Sequence, residues 1–509
     1  MGLLSPKLYQ FLVSCFASVG SFTYGYDLGI IAQVVASDHF IVYFNEPDST
    51  KTGLVVSLFT AGAFVGAFFA GFMSSSLGRR GTIAAATVVF IFGCALQCGA
   101  RNMSMLIGGR FIGGMGVGIL TMIIPLYQAE LAHPSIRGRV TALQQFFLGI
   151  GALCASWIGY GCYLGFRSDN QWRVPLGIQI IPAGILGGLI FFFPESPRWL
   201  LDKDRHEDGL KTLARLYANG DVDSALVRVE YDEIVSAINE ERENGLHSWR
   251  ELFFVKSNFR RLFICISLQA SIQMTGVSAI QYYSPTIFAQ IGLSTGRTLL
   301  FQAINSIIAL IGQGFCIALV DITGRRWPLI CGNLGNCMTF IAGAILLAKF
   351  PPGGDNPRSA QIGFIATTWI YNFFFSSMCG PLSWIIPAEV FNTKTRSWGV
   401  AISTMTCYAF NTMIGQVTDK AMTEIGYKYY FLFIICNFTN AIFFWALLPE
   451  TGGTPLESMN KLWETAPWFV PTMHRENYLA KLEAEVHEQE AKGEKSSHVE
   501  LALDEKALA

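Results

Sequence analysis

The chain has 509 residues, a formal net charge of −1, 51% hydrophobic residues and only 14% charged ones, with a mean hydropathy of +0.39. A soluble chain carries about a quarter charged residues, and a nucleic-acid binder needs a basic surface, so the composition argues against both. The 12 cysteines and 7 histidines lack metal-ligand spacing, and no nucleophile–base pair stands out, so no metal, no cofactor and no enzyme activity is expected.

Apolar runs of about 20 residues, each able to cross roughly 30 Å of hydrocarbon, recur near 8–35, 53–75, 82–100, 104–131, 140–163 and 174–193. After a polar interval they resume near 260–290, 299–320, 328–349, 361–388, 396–422 and 428–448. They predict an all-α membrane protein of twelve transmembrane helices, since this period does not suit a membrane barrel. No small-residue cleavage site follows the first run, which predicts a retained span and not a signal peptide. Arg79–Arg80, Arg137–Arg139, Arg325–Arg326 and Lys394–Arg396 fall on one side of these spans with the polar stretch Asp202–Lys256. The opposite loops hold only scattered charges such as Arg101, Arg167 and Lys420. The positive-inside rule places the arginine-rich side, and both termini, in the cytosol. Asn102-Met103-Ser104 fits a glycosylation sequon on the other side but hugs the membrane, and it is expected to stay unused.

The expected division is an N-terminal six-helix bundle (1–200), a cytosolic linker of amphipathic helices (201–258), a C-terminal six-helix bundle (259–455) and a cytosolic tail, partly disordered (456–509). A half-chain repeat supports two similar bundles. Pro125, Glu130 and Arg137 recur as Pro387, Glu389 and Arg396, with the two Glu–Arg pairs both seven residues apart. A GRR triplet precedes each copy, and a Pro-Glu pair follows each, at Pro194–Glu195 and Pro449–Glu450. Within the spans, Asp27 and Arg110 are charges in apolar surroundings. A lone charge there costs at least about 2.5–3.5 kcal/mol on insertion scales, so the two are expected to pair.

GYDLGII (Gly25–Ile31), GRFIGGMGVG, PLYQAELAHPSIRGR, PESPRWL, QMTGVSAIQYYSPTIF, DITGRR, GPLSWIIPAEVFNTKTR and PETGG together resemble the sugar porters of the major facilitator superfamily, over about residues 20–460. The resemblance implies the major facilitator fold as a monomer. It also implies import of a monosaccharide (hexose, pentose or deoxy-sugar) across the plasma membrane by alternating access, with a proton as coupling ion. Asp27 would carry the proton and Arg110 govern its release; a static ion pair is the alternative. A passive facilitator, a polyol, quinate or disaccharide carrier and, more remotely, a non-transporting sugar sensor remain as rivals.

By position, the resemblance makes Gln145, Gln273, Trp384 and Asn411 solute contacts, and Tyr282 and Tyr283 an outer gate. Ile272, Ser278 and Tyr408 occupy solute-site positions where the family carries an amide, an asparagine and often a tryptophan. Ala309 and Ser376 replace an asparagine and, in some relatives, a carboxylate. Fewer amides predict a more apolar pocket than a strict glucose carrier needs. Arg79, Arg80, Glu130, Arg137, Glu195 and Arg198, with their second-half counterparts Asp321, Arg325, Arg326, Glu389, Arg396 and Glu450, would form a cytosolic latch at the bundle ends. Ser75 stands where an acid or amide is usual, which predicts a weaker first-half latch, and Gly452 stands where a lysine is usual.

Overall fold

The computed structural model describes residues 5–132, 137–243, 251–290, 293–350, 357–391, 395–452, 462–463 and 466–472. The described regular structure is helical throughout. Span 1 is made of two helices, Pro6–Ala17 and Val19–Val35. The first starts at Ser5, whose hydroxyl accepts the Leu8 N–H, with proline in the first turn. The two meet at Ser18, whose hydroxyl turns back to the Ser14 carbonyl at 2.9 Å.

Spans 2 and 3 are two helices within Ser49–Cys98 that meet at a tight break at Gly78. Gly78 has φ +75 and ψ 179, a conformation open essentially to glycine alone. Span 4 is Met103–Leu131, span 5 Arg137–Gly165 and span 6 Asn170–Phe192. In the second half, Lys256–Gln273 and Val277–Gln290 make span 7, broken at Gly276. Spans 8 and 9 are Thr295–Thr323 and Arg326–Lys349. They turn at Gly324 (φ +78), the counterpart of Gly78. Span 10 runs from Arg358 to Val390 through a π-helical turn at Phe375–Cys379, span 11 is Arg396–Glu424 and span 12 Tyr430–Leu447.

Nine described helices are long and apolar enough to cross a bilayer, and Ser49–Cys98 does so twice. The two-part span 1 and span 11 complete the twelve, in two bundles of six. Span 11 lacks a strongly apolar stretch because Thr404, Asn411, Thr412 and Gln416 lie along it.

Between the halves, Pro197–Asp202, His206–Tyr217 and Ala225–Glu243 bury Leu201, Leu213, Ala214, Val227 and Ile238 together. Gln10 donates from Nε2 to the Leu216 carbonyl at 3.0 Å, tying this layer to span 1. Where the sequence reading begins a tail, Leu462 and Trp463 instead pack on the second half. Arg260 donates to the carbonyls of Ala466 (2.5 Å) and Pro467 (2.6 Å).

Spans 2 and 4 interlock through glycines on both sides of the contact. Gly62 and Gly66 lie against the Phe111 and Met115 carbonyls, and Gly114 and Gly118 against those of Phe59 and Ala63. Small residues allow such backbone approach, which replaces the hydrophobic driving force that lipid cannot supply. Gly108, on the same helix, has open space where a Cβ would stand. Gly114→Leu is therefore expected to cost about 1–3 kcal/mol or more by overpacking, lowering the melting temperature of the purified chain in detergent and its membrane yield. Gly108→Leu should leave both near wild type; equal behaviour of the two variants would contradict the interlock.

Candidate functional site

Arg110 and Asp27 are 1% and 0% exposed. Arg110 donates from Nη1 to Asp27 Oδ1 at 2.6 Å and from Nε to the Val55 carbonyl at 3.0 Å. Its guanidinium carbon lies 4.2 Å from the Phe59 ring centroid. Spans 1, 2 and 4 thus converge on one cation. Span 1 reaches this depth because Gly25 and Gly29 let it lie against the backbone of span 5 at Leu148 and Ala152. The pair is unevenly satisfied. Asp27 Oδ2 is buried and has no partner among the described residues, so only one carboxylate oxygen answers the guanidinium.

The break in span 7 sets the next layer. Gly276 (φ +96) ends the first helix, and the Thr275 carbonyl accepts Asn437 Nδ2 at 3.1 Å and the Tyr371 hydroxyl at 3.3 Å. Above and below this pivot, span 7 turns its polar side chains toward span 11. Gln273 Nε2 donates to Cys407 Sγ at 3.1 Å, and Gln273 Oε1 accepts the Ser278 hydroxyl at 2.6 Å. The Tyr282 hydroxyl donates to Asn411 Oδ1 at 3.0 Å, and that of Tyr283 to the Gly415 carbonyl at 2.6 Å. Ile272 is buried beside them at 3% exposure.

Span 11 in turn meets the first half. Tyr408 shares a 2.8 Å hydrogen bond with Thr121 of span 4 and packs edge-on to Tyr24. Thr412 shares one of 2.7 Å with Thr60, and Gln416 Oε1 accepts the Ser57 hydroxyl at 2.7 Å. Gln273, Ser278, Tyr282, Tyr283, Tyr408 and Asn411 are thus brought into one layer. Gln145 lines a cleft with Gln313, Pro381 and Ile385. Trp384, partly buried, lies on the same helix as those last two. Thr60, Thr121, Cys407 and Thr412 were not anticipated. The signal for those on span 11 was available, because Tyr408, Thr412 and Gln416 recur every four residues on one helix face.

At the arginine-rich end the two halves repeat one design. Arg79 grips Glu130 with two bonds of 2.7 Å, and Arg325 holds Glu389 at 2.9 and 3.3 Å. Glu195 accepts the backbone N–H groups of Arg79 (3.0 Å), Arg80 (3.2 Å) and Ser196 (2.9 Å). Glu450 does the same for Arg325 (2.8 Å), Arg326 (3.1 Å) and Gly452 (2.8 Å). Burial raises the Glu195 carboxyl above its ordinary range, against these N–H donors, which lower it. Arg80 and Arg326 also cap the carbonyls of Phe191 and Trp445.

Arg79–Glu130 ties the turn of spans 2 and 3 to span 4, and Arg325–Glu389 ties that of spans 8 and 9 to span 10. Each carboxylate ends the helix that packs beside its own arginine turn, so the nearest partner lies inside the half. The first-half pair is bidentate. Of the remaining latch residues, Arg396 Nε reaches the Phe391 carbonyl at 3.4 Å, and Arg198 lies partly buried in the helix Pro197–Asp202. The side chains of Arg137 and Asp321 lie outside the described residues.

This architecture can be set beside known proteins. A family model described as "Sugar (and other) transporter" matches residues 13–463. The MFS-type transporter criB of Aspergillus cristatus is 33% identical over 89% of this chain and 93% of its own length. The quinate permease of Emericella nidulans is 33% identical over 91% and 90%. The high-affinity glucose transporter of Kluyveromyces lactis is 29% identical over 94% and 89%. Among solved structures, the proton:xylose symporter XylE bound to 6-bromo-6-deoxy-D-glucose superposes with a TM-score of 0.76 at 24% identity, covering 89% of this chain and 99% of that one; at that identity the likeness speaks to the fold. With a family match over nearly the whole length and relatives at 33% identity across nine-tenths of theirs, the chain belongs to the sugar transporter family of the major facilitator superfamily.

Proposed function

We propose that the chain imports a monosaccharide-like solute (a hexose, pentose or deoxy-sugar) by proton symport with alternating access. The observation that carries this reading is Asp27, with one oxygen on Arg110 and the other buried and unpartnered. A proton arriving at Oδ2 cancels the charge that faces the guanidinium. Arg110 keeps its Val55 and Phe59 contacts, its tie to span 1 weakens, and spans 1 and 4 can separate. The proton is the coupling ion, and no cofactor takes part.

The arginine-rich end is cytosolic in this reading, with both termini there, and the chain works as a monomer in the plasma membrane. The opposite end is closed: Tyr282 and Tyr283 are 4% and 2% exposed and bonded to span 11. The amides of Gln273 and Asn411 are occupied by Cys407, Ser278 and Tyr282. An entering solute exchanges its hydroxyls for these internal partners, so binding and gate opening are the same event. Tyr24, Tyr408 and Trp384 offer ring faces to sugar C–H groups. Glu130, Arg137, Glu389 and Arg396 gate the cytosolic side.

A second reading, a quinate carrier, is favoured by the 33% identical permease. Labelled D-glucose, D-xylose, L-rhamnose and quinate offered to uptake-deficient cells expressing the chain decide between them. Saturable uptake of xylose or rhamnose in preference to glucose and quinate is expected. Preferred uptake of quinate would replace the sugar reading, and preferred uptake of glucose would sink the pentose and deoxy-sugar preference.

Proton coupling is read in proteoliposomes with an imposed pH gradient. Asp27→Asn should abolish accumulation above the external concentration while sparing counterflow, and solute addition should alkalinise the outside of wild-type vesicles only. Undiminished uphill uptake by Asp27→Asn would remove the proton from the mechanism. For the cytosolic gate, Glu130→Gln and Glu389→Gln each weaken charge-assisted bonding by about 1.5–3 kcal/mol. Each should lower Vmax roughly tenfold, with KM changed less than about twofold. A rise in KM at constant Vmax would instead place these glutamates in solute binding.

A further inference from the structure

The family's span-8 asparagine position is Ala309 here, yet the same face of the helix carries Gln313 one turn further on. Gln313 is 5% exposed, and its Oε1 is buried with no partner among the described residues. Its amide lies across the Cα of Gly149 in span 5: a Cβ at Gly149 would collide with it, meeting Cδ at 2.8 Å. Gly149 is four residues beyond Gln145, so the notch that seats Gln313 shares a helix face with that amide. Both glutamines line one narrow cleft between spans 5, 8 and 10. Phe146, Ile317 and Val320 supply apolar wall. A buried amide oxygen without a donor is unfavourable in a folded chain unless something satisfies it. Set beside a second amide in a cleft between the halves, it is suited to a hydroxyl.

We propose that Gln313 is a specificity-determining contact for the solute, supplying from one turn along span 8 the amide that Ala309 lacks. The inference rests on the transport reading above. It shifts one recognition point toward the arginine-rich end, so Gln145 and Gln313 together engage adjacent hydroxyls of a polyhydroxylated ring. The apolar wall faces the ring edge that carries few or none, as a pentose or deoxy-sugar has.

The test compares wild type, Gln313→Leu, Gln313→Leu/Ala309→Asn and Gln313→Asn in proteoliposomes with labelled D-glucose, D-xylose and L-rhamnose. Gln313→Leu keeps the volume and loses the acceptor. It is expected to raise KM for the preferred solute about tenfold, with Vmax within about twofold. The double variant should recover most of the affinity and reorder the three solutes, which a packing role would not do. Unchanged KM in Gln313→Leu, or a fall in Vmax alone, overturns the proposal. Should the leucine variant not fold, thermal stabilisation of purified Gln313→Asn by the same sugars gives the answer. A reduced solute-induced shift supports the contact, and a wild-type shift overturns it. A wild-type chain neither transporting nor stabilised by any of the three sugars overturns the transport reading, and this inference with it.

Discussion

A guanidinium at 1% exposure inside an apolar bundle must be matched where it sits. Removing an ion from water costs several kcal/mol even after relaxation, and only close, well-aimed partners offset that. Arg110 finds three: the Asp27 carboxylate, the Val55 carbonyl and the Phe59 ring. Those partners come from two other spans, which have to approach closely enough for one side chain to reach them. The glycine interlock of spans 2 and 4, and the glycine face of span 1 against span 5, allow that approach. The charge and the glycines are one requirement seen twice.

The halves and the joint between them are held by different means. Inside each half, glycine-mediated backbone contacts, a fork of guanidinium on carboxylate and a carboxylate over successive backbone N–H groups make connections that are costly to break. Across the joint, span 11 meets the first half through hydroxyl and amide pairs, Tyr408 with Thr121, Thr412 with Thr60 and Gln416 with Ser57. Such interhelical bonds average about 0.6 kcal/mol in a membrane protein. Stiff halves with a soft seam are what alternating access needs, because the seam can exchange partners while each bundle moves as a body.

Much of this was legible along the chain. The twelve spans follow from run length and hydrophobicity, and the repeat of prolines, glutamates and arginines announced matched halves. The pairing of Asp27 with Arg110 followed from the cost of leaving either alone. Other features depended on contacts distant in sequence. The turn at Gly78 is completed by Glu195, 117 residues on, which accepts the N–H groups of Arg79 and Arg80. Helix packing gave each arginine turn a carboxylate from its own half.

The sequence by itself determined that this chain lives in a bilayer, how many times it crosses and which charges must be neutralised there, since these depend on composition along one strand of chain. Only the tertiary structure decided which amides share a cleft. It set Gln313 of span 8 beside Gln145 of span 5. Helix rotation and the width of a glycine notch govern that choice, and both depend on neighbours more than a hundred residues away.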